Sequence, residues 1–235
     1  MKLRLDKYLS EAGTGTRSEV KKAVRKGLVQ VNGHTVQKPE YQVDTENDRV
    51  AFDGKPVVYI QYEYYMLNKP AGVISASTDS REPCVVDLIT ERRRKDLFPV
   101  GRLDRDTEGL LLITNDGGLA HRLLSPKKHV DKVYYVKVLG QVTQKDVEIF
   151  RQGVDIGEEK PALPAELDIL DSGEVSEVKV TIQEGKFHQV KRMFQAVGME
   201  VIYLKRLQMG PLVLDETLKP GEYRTLNRNE LDRLC

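Results

Sequence analysis

The sequence predicts an α+β protein of two domains, a small one at residues 1–58 and a larger one at residues 59–235 with a mixed, mainly antiparallel sheet and flanking helices. Three observations lead to this prediction. In the larger part, segments of strand character outnumber helical ones, and hairpin turn signals separate them. The first sixty residues contain helices and a hairpin of their own. Between the two parts, residues 55–62 contain Pro56 and little hydrophobic periodicity, as is typical of a short linker.

Two helices and a hairpin are predicted in the small domain. Apolar residues at helical spacing predict a first helix over residues 5–12. Thr16 followed by Glu19 fits a capping box, which opens a second helix that stops at a glycine. Asn32-Gly33 lies between two apolar segments and predicts a hairpin with a two-residue turn.

The whole chain has nearly equal numbers of basic and acidic residues, 37 and 36, but they are unevenly distributed along the sequence. Residues 1–38 carry nine basic side chains against three acidic ones. Charge of one sign collected in a small segment indicates a polyanionic partner. The side chains expected to contact that partner are Arg4, Lys7, Arg17, Lys21, Lys22, Arg25 and Lys26.

Three stretches of the small domain, in order, resemble the S4 RNA-binding domain along nearly its whole length. They are RLDKYL at 4–9, TRSEV at 16–20 and GLVQVNG at 27–33. The resemblance implies that this domain binds RNA. One alternative is that the basic helix face is simply solvated. Another is a DNA-reading helix-turn-helix, although those motifs rarely run straight into a hairpin.

The larger domain is predicted to alternate strands with a few short helices. Strands are expected at 62–67, 110–114, 133–139, 166–170, 175–182, 201–207 and 211–214. Helices are expected at 85–89, 119–124, 144–151 and 187–197.

A dense cluster of charge precedes one of these strands, in GRLDRDTEGLLLITNDG at 101–117. Three acids and two arginines lie between glycines and are followed at once by an apolar segment of strand character. Such a sequence places carboxylates at the rim of the core, and loops held by rigid strands are common places for chemistry. The alternative is a solvated turn before a core strand. Asp106 and Glu108 are interpreted as acids that order the loop.

Two polar side chains of the larger domain are predicted to face the interior. In the expected helix at 187–197, Lys191 lies four residues after Phe187 and three before Phe194, so it should point with the apolar stripe. A buried ammonium needs an anionic partner, unless the side chain reaches water at the edge of the stripe. Strand alternation turns Tyr134 inward, where it is either a core residue or part of a site.

Three motifs of the larger domain, in order, resemble the RsuA-type branch of the pseudouridine synthases, which acts on ribosomal RNA. They are the segment 101–117 without a gap, KVY at 132–134 and GKFHQVKRMF at 185–194, and the segments 66–72 and 220–224 also resemble this branch. The resemblance covers essentially all 235 residues, including the S4 domain. It implies an isomerase that breaks the bond from C1′ to N1 of a uridine and rejoins the uracil through C5.

The resemblance also implies roles for single residues. Asp104 is expected to be the catalytic carboxylate beside the ribose, and Lys191 the cation that keeps it ionised. It stays open whether Asp104 attacks C1′, attacks C6 or abstracts the 2′ proton. Tyr134 is expected to stack under the uracil and to take part in the final proton transfer. Arg102 is expected to fill the space that a flipped-out base vacates, or else to clamp a phosphate. Further RNA contacts are expected from Lys186, His188 and Arg192.

No cofactor and no metal are expected. The implied rearrangement oxidises nothing and imports no group, and the four histidines show no metal-ligand spacing. Cys84 and Cys235 cannot build a disulfide scaffold, which is typical of a protein of the reducing cytoplasm. The sequence contains no apolar segment long enough to span a membrane, and a monomer is expected.

The expected partner is ribosomal RNA, either naked or within a pre-ribosomal particle. The 16S rRNA of the small subunit is the first expectation, and 23S rRNA is the alternative. A second alternative is a catalytically silent rRNA-binding or ribosome-assembly factor that keeps the fold. A hydrolase with paired carboxylates fits less well, because it predicts neither an inward lysine nor an RNA-binding domain.

Overall fold

In the computed structural model, which describes residues 1–125 and 128–234, the chain divides into two units. The first unit comprises Met1–Glu63 together with Glu91–Leu97, and the second comprises Tyr64–Thr90 and the described residues from Phe98 onward. The segment 91–97 therefore belongs with the first unit although it lies far from it in the sequence. The domain limits expected at 1–58 and 59–235 stay a prediction.

Two short helices and small sheets form the first unit. Its elements are β1 (Lys2–Arg4), α1 (Leu5–Glu11), α2 (Arg17–Arg25), β2 (Val29–Val31), β3 (His34–Thr35), β4 (Gln42–Asp44), β5 (Val50–Phe52) and β6 (Lys55–Val57). The predicted capping box is present, since Glu19 N donates to Thr16 Oγ1 at 3.3 Å and Thr16 N donates to Glu19 Oε2 at 2.8 Å. Asn32 and Gly33 both have positive φ, at 51° and 81°, as a two-residue hairpin turn requires.

The second unit is built on one mixed sheet. Its elements are β7 (Tyr64–Lys69), a 3₁₀ helix (Val85–Leu88), β8 (Phe98–Pro99), β9 (Glu108–Thr114), α3 (Gly117–Leu124), β10 (Lys132–Leu139), α4 (Gln144–Gln152), β11 (Glu166–Asp171), β12 (Val175–Ile182), α5 (Gln189–Ala196), β13 (Glu200–Met209), β14 (Leu212–Val213), β15 (Tyr223–Thr225) and α6 (Arg228–Leu234). The strand order is β11-β12-β10-β13-β9-β7-β15, with β14 beside β13 and β8 beside β9. Among these described strands β13 and β9 are parallel, and the other pairs are antiparallel. The predicted α+β class with a mixed, mainly antiparallel sheet is confirmed.

The parallel contact between β9 and β13 depends on Gly109. Its φ is +99°, and a Cβ at this position would lie 2.3 Å from the carbonyl oxygen of Arg206. Only a residue without a side chain lets the two backbones approach this closely. Gly109, the second residue of β9, therefore permits the parallel pairing with β13 directly after the charged loop at 102–107.

The helix predicted at 187–197 begins two residues later, at Gln189. His188 has a left-handed backbone with φ 49°, which ends the preceding segment and leaves Phe187 outside the helix. Phe187 is 74% exposed, so its predicted place in the apolar stripe is wrong. The buried side of α5 is instead formed by Gln189, Val190, Met193 and Phe194.

Cys84 is buried and has a free thiol, whereas Cys235 lies outside the described residues. Across residues 1–125 and 128–234, none of the helices combines the length and the apolar character that a membrane crossing needs.

Candidate active site

The loop that carries Asp104 is tied to the body of the second unit from several sides. Ser75 Oγ accepts from Leu103 N at 3.0 Å and donates to Leu103 O at 2.8 Å. Thr107 N donates to Asp104 O at 3.1 Å and closes a turn around the acid. The core strand β9 begins directly after Thr107. The backbone around Asp104 is therefore anchored to the core of the unit.

Lys69, the last residue of β7, is fully buried beneath this loop. Its ammonium donates to the carbonyl oxygens of Pro70 at 2.9 Å, Arg105 at 3.2 Å and Thr107 at 2.9 Å. Burial lowers the pKa of Lys69 to about 8, against the opposing influence of the nearby acids. Two of the three carbonyls belong to the loop itself, so Lys69 holds the backbone on the C-terminal side of Asp104.

Lys191 lies between two carboxylates of the loop. Its Nζ is 3.2 Å from Asp104 Oδ2 and 2.6 Å from Asp106 Oδ1. The sequence predicts an anionic partner for this lysine unless its side chain reaches water; the side chain is 24% exposed, and the structure supplies two partners. His188 joins the group, with Nε2 at 3.5 Å from Asp104 Oδ1.

The charges of this group reinforce one another. Burial acts to lower the pKa of Lys191, but the hydrogen bond to Asp106 and the charge of Asp104 outweigh it, so the pKa is raised. The hydrogen bond from Lys191 in turn lowers the pKa of Asp106. Lys191 is therefore a stable cation at neutral pH, and it lies against a carboxylate whose side chain is only 25% exposed.

Tyr134 faces the same space, as the alternation of β10 predicts. It is 7% exposed and lines a cavity of about 70 Å³ together with Asp104, Arg102, Thr107 and Leu204. A second cavity of about 430 Å³ adjoins it, and Asp104, Arg102 and His188 line both. The structure thus brings Asp104, Tyr134 and Lys191 together at one site.

Two of the cations expected to contact RNA are held by the protein itself. Lys186 Nζ donates to the carbonyls of residues 160 and 161, both at 3.0 Å, and lies 3.6 Å from Glu158. Arg192 donates to Glu158 at 2.6 Å and to the carbonyl of Ile156. Both side chains are thereby turned to the segment 156–161, whereas Arg102 is exposed and has no hydrogen-bonding or ionic partner among the described residues.

The basic residues of the first unit also divide into those that contact acids of the protein and those that are exposed. Arg4 and Lys21 approach Asp6, at 2.9 and 3.8 Å, and Lys7 lies 3.7 Å from Glu11. The other four are exposed: Arg17, Lys22, Arg25 and Lys26. Their contact with RNA stays a prediction.

Sequence reasoning missed two residues of this site. Lys69 carried a signal, because it ends an apolar strand in which a charged side chain needs an explanation. Asp106 was interpreted only as an acid that orders the loop, and its contact with Lys191 depends on side-chain geometry that no spacing reveals. Among the described residues, no group of three or more His, Cys, Asp or Glu side chains is arranged to hold a metal ion.

Comparison with known proteins defines the two parts of the chain. Residues 3–50 match the S4 domain family, and residues 63–196 match the RNA pseudouridylate synthase family. An uncharacterized RNA pseudouridine synthase of Bacillus subtilis, YtzG, is 50% identical over 99% of this chain and 98% of its own length. The ribosomal small subunit pseudouridine synthase A of Haemophilus influenzae is 39% identical over 99% of both chains.

A solved structure described as a pseudouridylate synthase superposes with a TM-score of 0.70 at 39% identity, over 99% of this chain and 100% of that one. An S4 domain followed by a catalytic unit of this fold defines an RNA-modifying enzyme. The chain belongs to the RNA pseudouridylate synthase family, whose members are isomerases that act on RNA. The resemblances to an S4 domain and to a pseudouridine synthase are both confirmed.

Proposed function

We propose that this enzyme converts one uridine of 16S rRNA to pseudouridine, acting as a monomer in the cytoplasm, with Asp104 as the reacting carboxylate. The relatives named ribosomal small subunit pseudouridine synthase A, at 38–42% identity over nearly the whole chain, support the choice of 16S over 23S rRNA. The observation that carries the proposal is the position of Asp104, which lines a cavity with Tyr134 and lies 3.2 Å from Lys191.

The reaction exchanges one glycosidic bond for another. The bond from C1′ to N1 breaks, the uracil turns, a bond forms from C1′ to C5, the C5 proton leaves, and N1 takes up a proton from water. An ionised carboxylate beside the ribose serves each of the three routes open to it: attack at C1′, attack at C6, and removal of the 2′ proton. The ammonium of Lys191 attracts that negative charge, and both side chains are about three-quarters shielded from solvent, which strengthens the attraction.

Tyr134 acts at the base in this proposal. Its ring stacks under the uracil, and its hydroxyl takes part in removal of the C5 proton. Arg102 fills the space left by the uridine when it flips out of the RNA, a step that costs a few kcal/mol. The exposed position of Arg102 and its lack of a partner among the described residues support this role.

RNA binding is assigned to the basic side chains of both units. In the S4 domain these are Arg4, Lys7, Arg17, Lys21, Lys22, Arg25 and Lys26, and in the catalytic unit they are Lys186, His188 and Arg192. Contacts of this kind release counterions from the phosphates, so binding should weaken steeply as salt is raised. For Lys186 and Arg192 the proposal requires that they leave their contacts with Glu158 or reach RNA alongside them.

Release of tritium from 16S rRNA that contains 5-tritiated uridine tests the proposal. Wild type should release one equivalent per target site, and Asp104→Asn should lower the rate by about a thousandfold or more, because the amide carries no charge. Asp168→Asn changes an exposed acid on β11 and is the matched control. Full turnover in Asp104→Asn would exclude this carboxylate. Release from 23S but not 16S rRNA would exclude the target, and release from neither would favour a silent binding factor.

A further inference from the structure

Phe187 lies in an unusual position for a large apolar side chain. It is 74% exposed, the highest value for a large hydrophobic residue in the described part of the chain. One face of its ring stacks on His188, with the centroids 3.8 Å apart and an angle of 19° between the planes. The other face is open to solvent. A ring that is covered on one side and open on the other is a surface on which a planar group can stack.

The backbone holds this ring outside the helix. His188 has φ 49°, a left-handed conformation that a residue with a side chain adopts only when its surroundings enforce it. Those surroundings are present, since Arg192 N donates to His188 O at 3.0 Å and Arg192 Nη1 donates to Phe187 O at 3.1 Å. Arg192 is itself anchored on Glu158 at 2.6 Å. The exposure of Phe187 is therefore built into the fold.

Phe187 and His188 line the cavity of about 430 Å³ that adjoins the site of Asp104. Ile74 and Leu103 add apolar surface to this cavity, and the guanidinium of Arg105 supplies a cation. The side chain of Arg105 is 61% exposed; its guanidinium lies 3.2 Å from the partly exposed Glu82, and its Nε donates to Gly72 O at 3.3 Å. An aromatic ring, an apolar wall and an accessible cation are the three groups that bind a nucleotide of single-stranded RNA.

We propose that this cavity binds the nucleotide next to the target uridine, with its base stacked on Phe187 and its phosphate near Arg105. The inference rests on the proposed function, since it takes the site of Asp104 and Tyr134 to be that of the uridine. The two cavities share the lining residues Arg102, Leu103 and Asp104, so they adjoin, and a nucleotide next to the uridine can enter the second one. Phe187 is thus a binding residue that acts on the neighbour of the reacting base.

Steady-state kinetics of tritium release from 16S rRNA measure the contribution of the ring. Stacking of one base on an aromatic side chain corresponds to a roughly 5- to 150-fold change in binding, so Phe187→Ala should raise KM by such a factor. Because stacking on a neighbouring base serves ground state and transition state alike, kcat should stay within about twofold. Phe187→Tyr should keep the wild-type KM, whereas Phe187→Leu, which has bulk but no ring, should behave like the alanine variant.

A structural role would give a different pattern. If Phe187 only supported His188 beside Asp104, leucine would replace it well and the alanine variant would lose kcat rather than KM. That result would overturn the proposal, as would an unchanged KM in both variants. Tritium release by wild type would leave the isomerase itself standing in either case.

A direct readout is available because the chain contains no tryptophan. Phe187→Trp introduces a single indole, whose fluorescence should be quenched when 16S rRNA binds and a base stacks on it. Leu170→Trp, at an exposed apolar position of β11, is the matched control and should change little. Equal signals from the two positions would overturn the proposal. Selective quenching in Phe187→Trp without any turnover by wild type would keep the stacking site and remove the proposed reaction.

Discussion

Replacement of Lys69 by methionine should change how the stability of the enzyme depends on pH. Methionine has nearly the same length and fills the same buried space, but it removes three donors from the carbonyls of Pro70, Arg105 and Thr107. Each lost hydrogen bond costs about 1 kcal/mol, or roughly 3 kcal/mol in all. The variant also gains stability, because it no longer has the free-energy cost of burying an ammonium group away from water.

The size of that relief follows from the pKa of Lys69, which burial lowers from 10.5 to about 8. At ~1.36 kcal/mol per pKa unit, holding the charged form in the folded protein costs at most about 3 kcal/mol below pH 8. Between pH 8 and 10.5 the unfolded chain binds the proton and the folded protein does not, so wild type gains stability as pH rises. At pH 7 the two effects nearly cancel. At pH 10 the amine of Lys69 is neutral in folded wild type and still donates two hydrogen bonds, while most of the cost of the charge is gone, so the variant should be about 1 to 2 kcal/mol less stable than wild type.

Urea unfolding followed by far-UV circular dichroism at pH 7 and pH 10 measures this difference. Because the comparison is between two proteins, contributions of other titrating groups cancel. Lys137→Met is the control: the hydrogen bond to Glu177 raises the pKa of Lys137, so its ammonium does not titrate over this range. An equal destabilisation of Lys69→Met at pH 7 and pH 10 would refute the reasoning. It would mean that Lys69 stays charged in the folded wild type at both pH values. Turnover at pH 7 should still fall at least about tenfold, because the loop of Asp104 loses its support.

Three further substitutions have definite expected outcomes. Gly109→Ala places a Cβ 2.3 Å from Arg206 O at φ +99°, and should cost more than about 4 kcal/mol, seen as a large drop in Tm. Thr107→Val removes a buried hydroxyl that has no hydrogen-bond partner among the described atoms. The free energy of unfolding, measured with urea, should therefore stay within about 0.5 kcal/mol of wild type or rise. A loss above about 1 kcal/mol would show that the hydroxyl is hydrogen-bonded. Arg94→Met breaks the contact with Glu11 at 3.1 Å inside the first unit and should cost about 1 to 3 kcal/mol, measured by thermal unfolding; an unchanged Tm would contradict it.

Local signals in the sequence predicted most elements of both units because each has a local cause. The capping box at Thr16, the turn at Asn32-Gly33 and the alternation of β10 all act within a few residues. The strand order of the sheet, in contrast, depends on contacts between residues far apart in the sequence. β9 lies between β7 and β13, and its parallel contact with β13 joins Gly109 to Arg206, almost a hundred residues apart. No periodicity within either segment encodes that partnership.

At the candidate site, the sequence predicted that an inward lysine needs a carboxylate, but part of the reasoning was wrong. Lys191 was assigned to the apolar stripe through Phe187, and Phe187 lies outside the helix. The lysine still meets its partners, because it lies beside the buried Val190 and one turn before the buried Phe194. The start of the helix depends on the left-handed backbone of His188, which is enforced by contacts that residue types alone do not specify.

The cations of the catalytic unit fall into two groups according to what they touch. Lys69 and Lys191 contact the loop of Asp104 itself, and burial and ion pairing hold each in one place. Arg102 and Arg105 lie on the same loop but project outward, where a phosphate can replace water or Glu82 at little cost. The loop is thus held by the ammonium groups of Lys69 and Lys191, and it presents the exposed guanidinium groups of Arg102 and Arg105 to solvent. This division lets a site that contains two carboxylates accept a polyanion, because the charge that attracts the RNA is separate from the charge that keeps Asp104 in place.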